Sequence, residues 1–160
     1  MARPTEAQIS AAIVGVIAAA VPTGRVWNRI RIATDEAAYA AYYVDDNGIG
    51  NVWFVRRVTI TDSVTTFDDI VEELHTYELR YARAIVDVDE LNGKQSSHTI
   101  FQQQIEAVRA ALNADKHMGL GNGTTHSGFQ IRQPMPETAQ LGAYEMHMAV
   151  AQMDVTVTDC

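Results

Sequence analysis

The chain has 160 residues, a length that suggests one domain with a core that needs no disulfide or metal to hold it. Its hydrophobic share of 47% and charged share of 20% exclude a disordered or collagen-like chain. A formal net charge of −8 argues against a protein that holds nucleic acid by neutralising phosphates. Cys160 is the single cysteine, so no intrachain disulfide can form and a reducing compartment is indicated.

A first helix is predicted from Thr5 to Ala20. Thr5 and Gln8 have the spacing of a capping box. Apolar residues then recur with the spacing of one buried helix face, at Ile9, Ala12, Ile13, Val16, Ile17 and Ala20. The apolar run is about 13 residues, too short for a membrane span of ~20. Its final alanines have some likeness to a signal-peptidase site, but the cap and the weak basic flank favour a packed helix.

Three arginines, Arg25, Arg29 and Arg31, alternate loosely with apolar residues that include Trp27. An aromatic residue among arginines can bind a nucleic-acid strand. Alternation is more typical of a half-buried strand with its charges in solvent, and the acidic background favours that interpretation. The three arginines then remain candidate contacts to an acidic partner.

The middle of the chain predicts a short helix and two strands. Thr34, followed by two acids, predicts the N-cap of a helix through Tyr42. The Asp-Asp-Asn-Gly sequence at 45–48 predicts a turn that ends this helix. The turn lacks the ligand spacing of a calcium loop. The segment Asn51–Thr61 is rich in β-branched and aromatic residues and predicts a strand at the centre of the sheet. Leu74–Ala82 predicts a strand with one wet face, which carries His75 or its neighbours.

The last third of the chain predicts a long helix, an arm and a closing strand. The helix is capped by Ser97, ends near residues 115–117 and buries Phe101, Ile105, Val108 and Leu112. Glycines and prolines from Met118 to Gln140 predict an ordered loop or a flexible arm, with a possible strand at 129–132. The closing strand, 144–157, is long enough either to lie across the whole sheet or to project beyond it.

Together these elements predict one domain over residues 1–160. The fold class is α+β, with a mainly antiparallel sheet of about four strands and helices packed on one face.

No pattern of residues predicts a catalytic, cofactor-binding or metal site. The glycine-rich stretch 119–125 lacks the lysine of a P-loop, and the five histidines lack the close spacing of zinc ligands. Ser127 and His126 could be joined with an aspartate into a triad, but no nucleophile-elbow motif selects them. The carboxylates Asp68, Asp69, Glu72 and Glu73 are interpreted as a solvated rim. We therefore expect a protein that is not an enzyme.

The order of elements resembles that of a known family of assembly proteins. The residues that carry the resemblance are Pro22-Thr23-Gly24-Arg25-Val26, Trp53, His75, Ser97 with Phe101, Ile105-Glu106-Ala107-Val108, Leu112 and His147-Met148-Ala149-Val150. This succession is similar to the tail terminators among the tail-completion proteins of long-tailed bacteriophages.

The resemblance implies a structural virion protein of the tail and neck region, assembled in the host bacterial cytoplasm. Such a subunit forms a homo-oligomeric ring, expected to be a hexamer, which ends the tail tube and docks to the head-closure or neck protein. DNA passes through the lumen without specific binding, and no membrane or cofactor is involved. The Gly-rich arm and the closing strand are candidates for reaching a neighbour by strand addition.

Two alternatives stay open. A head-closure or neck ring protein does the same work of joining rings. Less favoured is a small-ligand-binding α+β protein or enzyme, with a pocket between helices and sheet lined by Trp53, Tyr77, Tyr81 and Tyr144.

Overall fold

The computed structural model describes residues 3–65, 70–86, 95–131, 139–141 and 144–158, and these form an α+β fold. The helices are α1 Glu6–Ala20, α2 Glu36–Tyr43 and α3 Ser97–Ala114. The strands are β1 Arg25–Trp27, β2 Asn51–Thr65, β3 Ile70–Ala84, β4 Thr124–His126, β5 Gln130–Ile131, β6 Ala139–Leu141 and β7 Tyr144–Thr158.

Seven strands form one mixed sheet in the order β1-β2-β3-β7-β4, with β5 and β6 also paired to β7. β1 runs parallel to β2, and the other pairs are antiparallel. The α+β class is confirmed, but the expectation of a mainly antiparallel sheet of about four strands matches the seven-stranded mixed sheet only roughly. β1 and β5 lie within segments whose sequences suggested strands, whereas β4 and β6, with three residues each, carry no readable period and were not predicted.

Three strands of 15 residues, β2, β3 and β7, form the frame of the sheet. β7 pairs with β3 from Met146 to Thr158 and takes β4, β5 and β6 on its other side. The closing strand therefore lies across the whole sheet, the first of the two arrangements that its length allowed. β2 is not central, because only β1 lies outside it.

Helices α1 and α3 cover one side of the sheet, called here the helical face. Their buried residues are Ile9, Ile13 and Ile17 from α1 and Phe101, Ile105, Val108 and Leu112 from α3. The capping box of Thr5 and Gln8 is confirmed at the start of α1. α3 begins as predicted, except that the N-cap is Ser96, whose side chain accepts from the Thr99 backbone N–H.

An aromatic stack fills the centre of this core. The rings of Trp53 and Tyr81 lie 4.4 Å apart and nearly parallel, and Tyr81 stacks on Phe101 at 4.9 Å. Trp53, Tyr77 and Tyr81 have no exposed surface. These three residues, expected under one alternative to line a pocket, are packed core residues. The side chain of Tyr144 lies outside the described residues.

The opposite side of the sheet is covered only at one end, by α2 and the segment before it. A second core cluster there contains Tyr43, Val52, Phe54, Ala82 and Met146. The expectation that helices pack on one face only is therefore wrong. The reason is visible in the uninterrupted apolar run at 52–55, which is typical of a strand buried on both faces.

Candidate functional site

The uncovered part of the sheet lies beyond α2 and is called here the open face. At its centre, Glu78 of β3 accepts from Arg56 Nε at 2.9 Å and from Arg80 Nε at 2.6 Å. Burial alone would raise the pKa of Glu78, but the hydrogen bonds from Arg80 and Arg56 hold that pKa below its usual range. The carboxylate therefore stays ionised, and the three side chains form a charged network across two strands.

A second polar group continues the open face onto β7. Thr76 Oγ1 donates to Asp154 Oδ1 at 2.8 Å, and Gln152 Nε2 donates to the same oxygen at 3.3 Å. Asp154 and Gln152 are partly exposed. The open face is thus a wide polar sheet surface whose side chains pair mainly with each other.

His75 does not lie on this wet side. It faces the helical side of the sheet and is only 3% exposed. Its Nε2 lies 3.0 Å from Glu73 Oε2, and Arg3 Nη2 lies 3.1 Å from Glu73 Oε1. Of the two possibilities left open for the exposed side of β3, His75 or its neighbours, the neighbours Thr76 and Glu78 carry it. Sequence alternation gave the correct period, but only packing decides which face is covered.

β2 carries the longest free edge of the sheet. β1 covers it only at Val52, Trp53 and Phe54, and no other described strand pairs with that side of β2. The outer edge of β2 from Val55 to Thr65 is called here the open edge. It contains a β-bulge between Arg57 and Thr59, and beside the bulge Val58 is 50% exposed and Ile60 48% exposed.

The arginine segment separates into two bound side chains and one exposed side chain. Arg25 donates to the Val44 carbonyl at 3.0 Å and to Asp46 Oδ1 at 2.8 Å, which fastens β1 to the turn after α2. Arg31 lies over the ring of Trp27 at 4.7 Å. Arg29 is exposed. Of the three candidate contacts to an acidic partner, Arg29 is exposed, and the Arg25 side chain is 41% exposed although it is bonded to Asp46.

A buried polar chain lies under the N-terminal half of α3. Asn51 Nδ2 donates to Asp45 Oδ2 at 3.3 Å, and Asn51 Oδ1 accepts from Tyr81 Oη at 3.2 Å. Tyr81 also bonds Gln104 of α3. Burial raises the pKa of Tyr81, so its hydroxyl remains protonated and available as a donor. These hydrogen-bonded side chains join a turn, two strands and a helix.

Ser97 and His147 contact each other beside this row of hydrogen-bonded side chains. The amino-acid sequence did not predict this contact. Ser97 Oγ lies 3.0 Å from His147 Nε2, and Phe101 packs 5.3 Å from the imidazole ring. Ser97 is 6% exposed and His147 is 8% exposed. The two residues are 50 positions apart, so no spacing motif could have found them. Their burial fits a contact that fastens α3 to β7.

The Ser127 and His126 pair does not assemble into a triad. Ser127 Oγ accepts from the Asp154 backbone N–H at 3.1 Å. His126 uses both ring nitrogens on backbone groups: Nε2 lies 3.1 Å from the Asp115 carbonyl, and Nδ1 accepts from the Gly128 N–H at 3.0 Å. Ser127 thus bonds the segment after β4 to β7, and His126 bonds β4 to the end of α3.

Asp115 organises the same turn. Its two carboxylate oxygens accept from the backbone N–H groups of His117 and Gly119, each at 2.9 Å. The bond from His117 is the main cause that holds the pKa of Asp115 below its usual value. Among the described residues, no group of three His, Cys, Asp or Glu side chains is arranged to hold a metal ion.

The arm predicted over 118–140 is described only in part. Residues 118–131 form turns and the strands β4 and β5, while 132–138 lie outside the described residues, as do Cys160 and the acids at 68 and 69. The flexible arm therefore stays a prediction.

Comparison with protein-family models and with curated proteins gives no match to this chain. Within the part of the chain that the structure describes, none of the helices combines the length and apolar character needed to cross a membrane.

Proposed function

We propose that this chain is a structural virion subunit that forms a ring at the end of a long bacteriophage tail tube. The ring terminates the tube and provides the surface that docks to the head or neck. No catalytic step belongs to this function, and the partners are other copies of the chain, the tail tube protein and the head-closure or neck protein.

The observation that carries the proposal is the amount of sheet left uncovered. The frame strands of 15 residues extend beyond the helix α2, so that the open face and the open edge remain available for contacts outside the chain's own fold. Subunits of rings need surfaces of this kind, because each copy must contact two neighbours. The resemblance in element order to tail terminators supports the choice of this particular assembly.

The charge of the chain supports the same proposal. A net charge of −8 repels the phosphate backbone, so that DNA can pass through a lumen without being held. A head-closure or neck ring would have the same requirement and remains the alternative. The packed state of Trp53, Tyr77 and Tyr81 disfavours the small-ligand-binding alternative.

The proposal is tested by native mass spectrometry and negative-stain microscopy of the purified chain, alone and with terminator-free tail tubes. We expect ring particles of about six times the chain mass of 17.6 kDa, either alone or at the tube ends. Failure to form a ring or to bind the tubes at any concentration would contradict the proposal.

A charge reversal on the open face provides a variant with a matched control. Glu78→Arg would place three positive side chains together and should reduce ring formation if this face takes part in assembly. Glu106→Arg on the exposed side of α3 changes the net charge equally and should leave ring formation intact. Circular dichroism of both variants checks that the fold is retained.

A further inference from the structure

We infer that the open edge pairs with the open edge of a second copy, in antiparallel orientation, and makes a two-fold dimer of the free chain. This goes beyond the proposed function, because it concerns the chain away from any tail and holds whichever assembly the chain later joins.

The open edge is long enough to pair with a whole strand. Val55–Thr65 extends for roughly 35 Å at about 3.3 Å per residue, and its outer backbone groups have no described strand partner. An edge strand presents a row of N–H and C=O groups that can pair with another strand. An extended backbone of similar length is therefore the occupant that satisfies it.

The open edge is only partly protected against pairing with another strand. Natural edge strands are blunted by charges, prolines and bulges, and here Arg56, Arg57 and the bulge at Val58 blunt the part nearest the core. From Thr59 to Thr65 the sequence is Thr-Ile-Thr-Asp-Ser-Val-Thr, with one charge and neither proline nor glycine. High β-propensity and low charge are the features that favour strand addition.

The occupant of the open edge is the same edge of a second copy. The opposite edge of the sheet consists of β4, β5 and β6, which have three, two and three residues. Such an interrupted edge offers no continuous ladder to a long strand. Among the described strands, the long free edge that matches the open edge is the open edge itself, so the contact joins identical surfaces about a two-fold axis.

Charge sets the orientation. Beyond the bulge, β2 carries Asp62 and the facing part of β3 carries Glu72, and the sequence from 58 to 79 has no lysine or arginine. Antiparallel pairing centred near Ile60, the midpoint of the open edge, places Arg56 and Arg57 of one copy toward Asp62 and Glu72 of the other. Parallel pairing would place like charges together, which destabilises a strand pair.

Cross-linking tests the two-fold contact directly. In a Cys160→Ser background, Thr59→Cys, Ile60→Cys and Thr61→Cys are introduced one at a time and treated with a short bis-maleimide. A residue near a two-fold axis links to its own copy, whereas a head-to-tail contact brings different residues together. We expect covalent dimers from at least one of these positions. Leu74→Cys, similarly exposed but on β3, which is paired on both sides, should give none.

The energetic test uses sedimentation velocity across a wide concentration range. Ile60→Lys should raise the dimer dissociation constant about tenfold or more, because a lysine on the edge opposes strand pairing, and added salt should weaken the wild-type dimer. Leu74→Lys is the control and should leave the constant unchanged.

The outcomes separate this inference from the proposed function. A monomer at every concentration would overturn the two-fold pairing. A dimer or ring would also overturn it if residues 59–61 gave no self-cross-links and Ile60→Lys left the association unchanged. A ring without these cross-links would leave the proposed function standing. Cross-linked dimers that never bind tail tubes would support the pairing and count against the proposed function.

Discussion

At the scale of single residues, His126 shows how the fold fixes a protonation state. Its Nδ1 accepts a backbone hydrogen bond from Gly128, so the ring proton lies on Nε2 and points to the Asp115 carbonyl. Burial lowers the pKa of His126, and the charge of Lys116 acts in the same direction. A protonated ring would lose the bond from Gly128, because Nδ1 would no longer accept.

This arrangement predicts a pH dependence of stability. An unfolded histidine titrates near pH 6.5, whereas folded His126 titrates lower, so between the two pKa values the unfolded chain binds more protons. The stabilisation from neutral His126 is therefore fully present above about pH 6.5 and is lost as the pH falls toward the folded pKa. Urea unfolding at pH 7.5 and pH 5.5 should show a smaller difference for His126→Gln than for the wild type.

His98→Gln is the control for this experiment, since its side chain is exposed. It should keep the wild-type pH dependence. If the free energy of unfolding changed equally between pH 7.5 and pH 5.5 for His126→Gln and the wild type, the buried imidazole would contribute nothing to the acid sensitivity.

At the scale of elements, two glycines with different surroundings test the packing of a helix and of a strand connection. Gly15 is exposed on α1, and an added Cβ would meet no atom within 4 Å. Gly123 lies just before β4, and an added Cβ would lie 2.9 Å from the Thr158 carbonyl oxygen at the end of β7. The backbone bond from Thr158 N–H to the Gly123 carbonyl, at 2.8 Å, holds the two segments at this close approach.

The same substitution should therefore have opposite effects at these two positions. Gly15→Ala should stabilise the protein by about 0.5–1 kcal/mol, because alanine is the better helix former. Gly123→Ala should destabilise it, since the obstructing atom is backbone and β4 must shift away from β7. Chemical denaturation measures both, and a neutral Gly123→Ala would mean that β4 contributes little to the stability of the sheet.

At the scale of the whole molecule, the sheet order predicts a gradient of backbone protection. β3 lies between β2 and β7, and β7 is paired on both sides along much of its length. β2 beyond Phe54 is paired on one side only. Exchange of backbone amides with solvent follows the free energy of local opening, which is lower where one side of a strand is open.

Hydrogen-exchange mass spectrometry at high dilution should therefore find slow exchange in peptides covering 76–84 and 146–157, and faster exchange in a peptide covering 58–65. Raising the protein concentration should slow the exchange of 58–65 selectively if the open edges pair. Uniform protection of all three frame strands in the dilute chain would contradict the one-sided pairing of β2.

The sequence alone determined the elements with strong local signals. The capping box of Thr5 and Gln8, the periodic face of α3 and the β-branched run in β2 each depend on contacts within a few residues, so these helices and strands and the α+β class were predictable. Only the tertiary structure decided that β2 lies near the edge, that His75 is covered while Glu78 is not, and that Ser97 meets His147 across 50 positions. These features depend on strand order and on which face a helix covers, and such long-range choices leave no period in the local sequence.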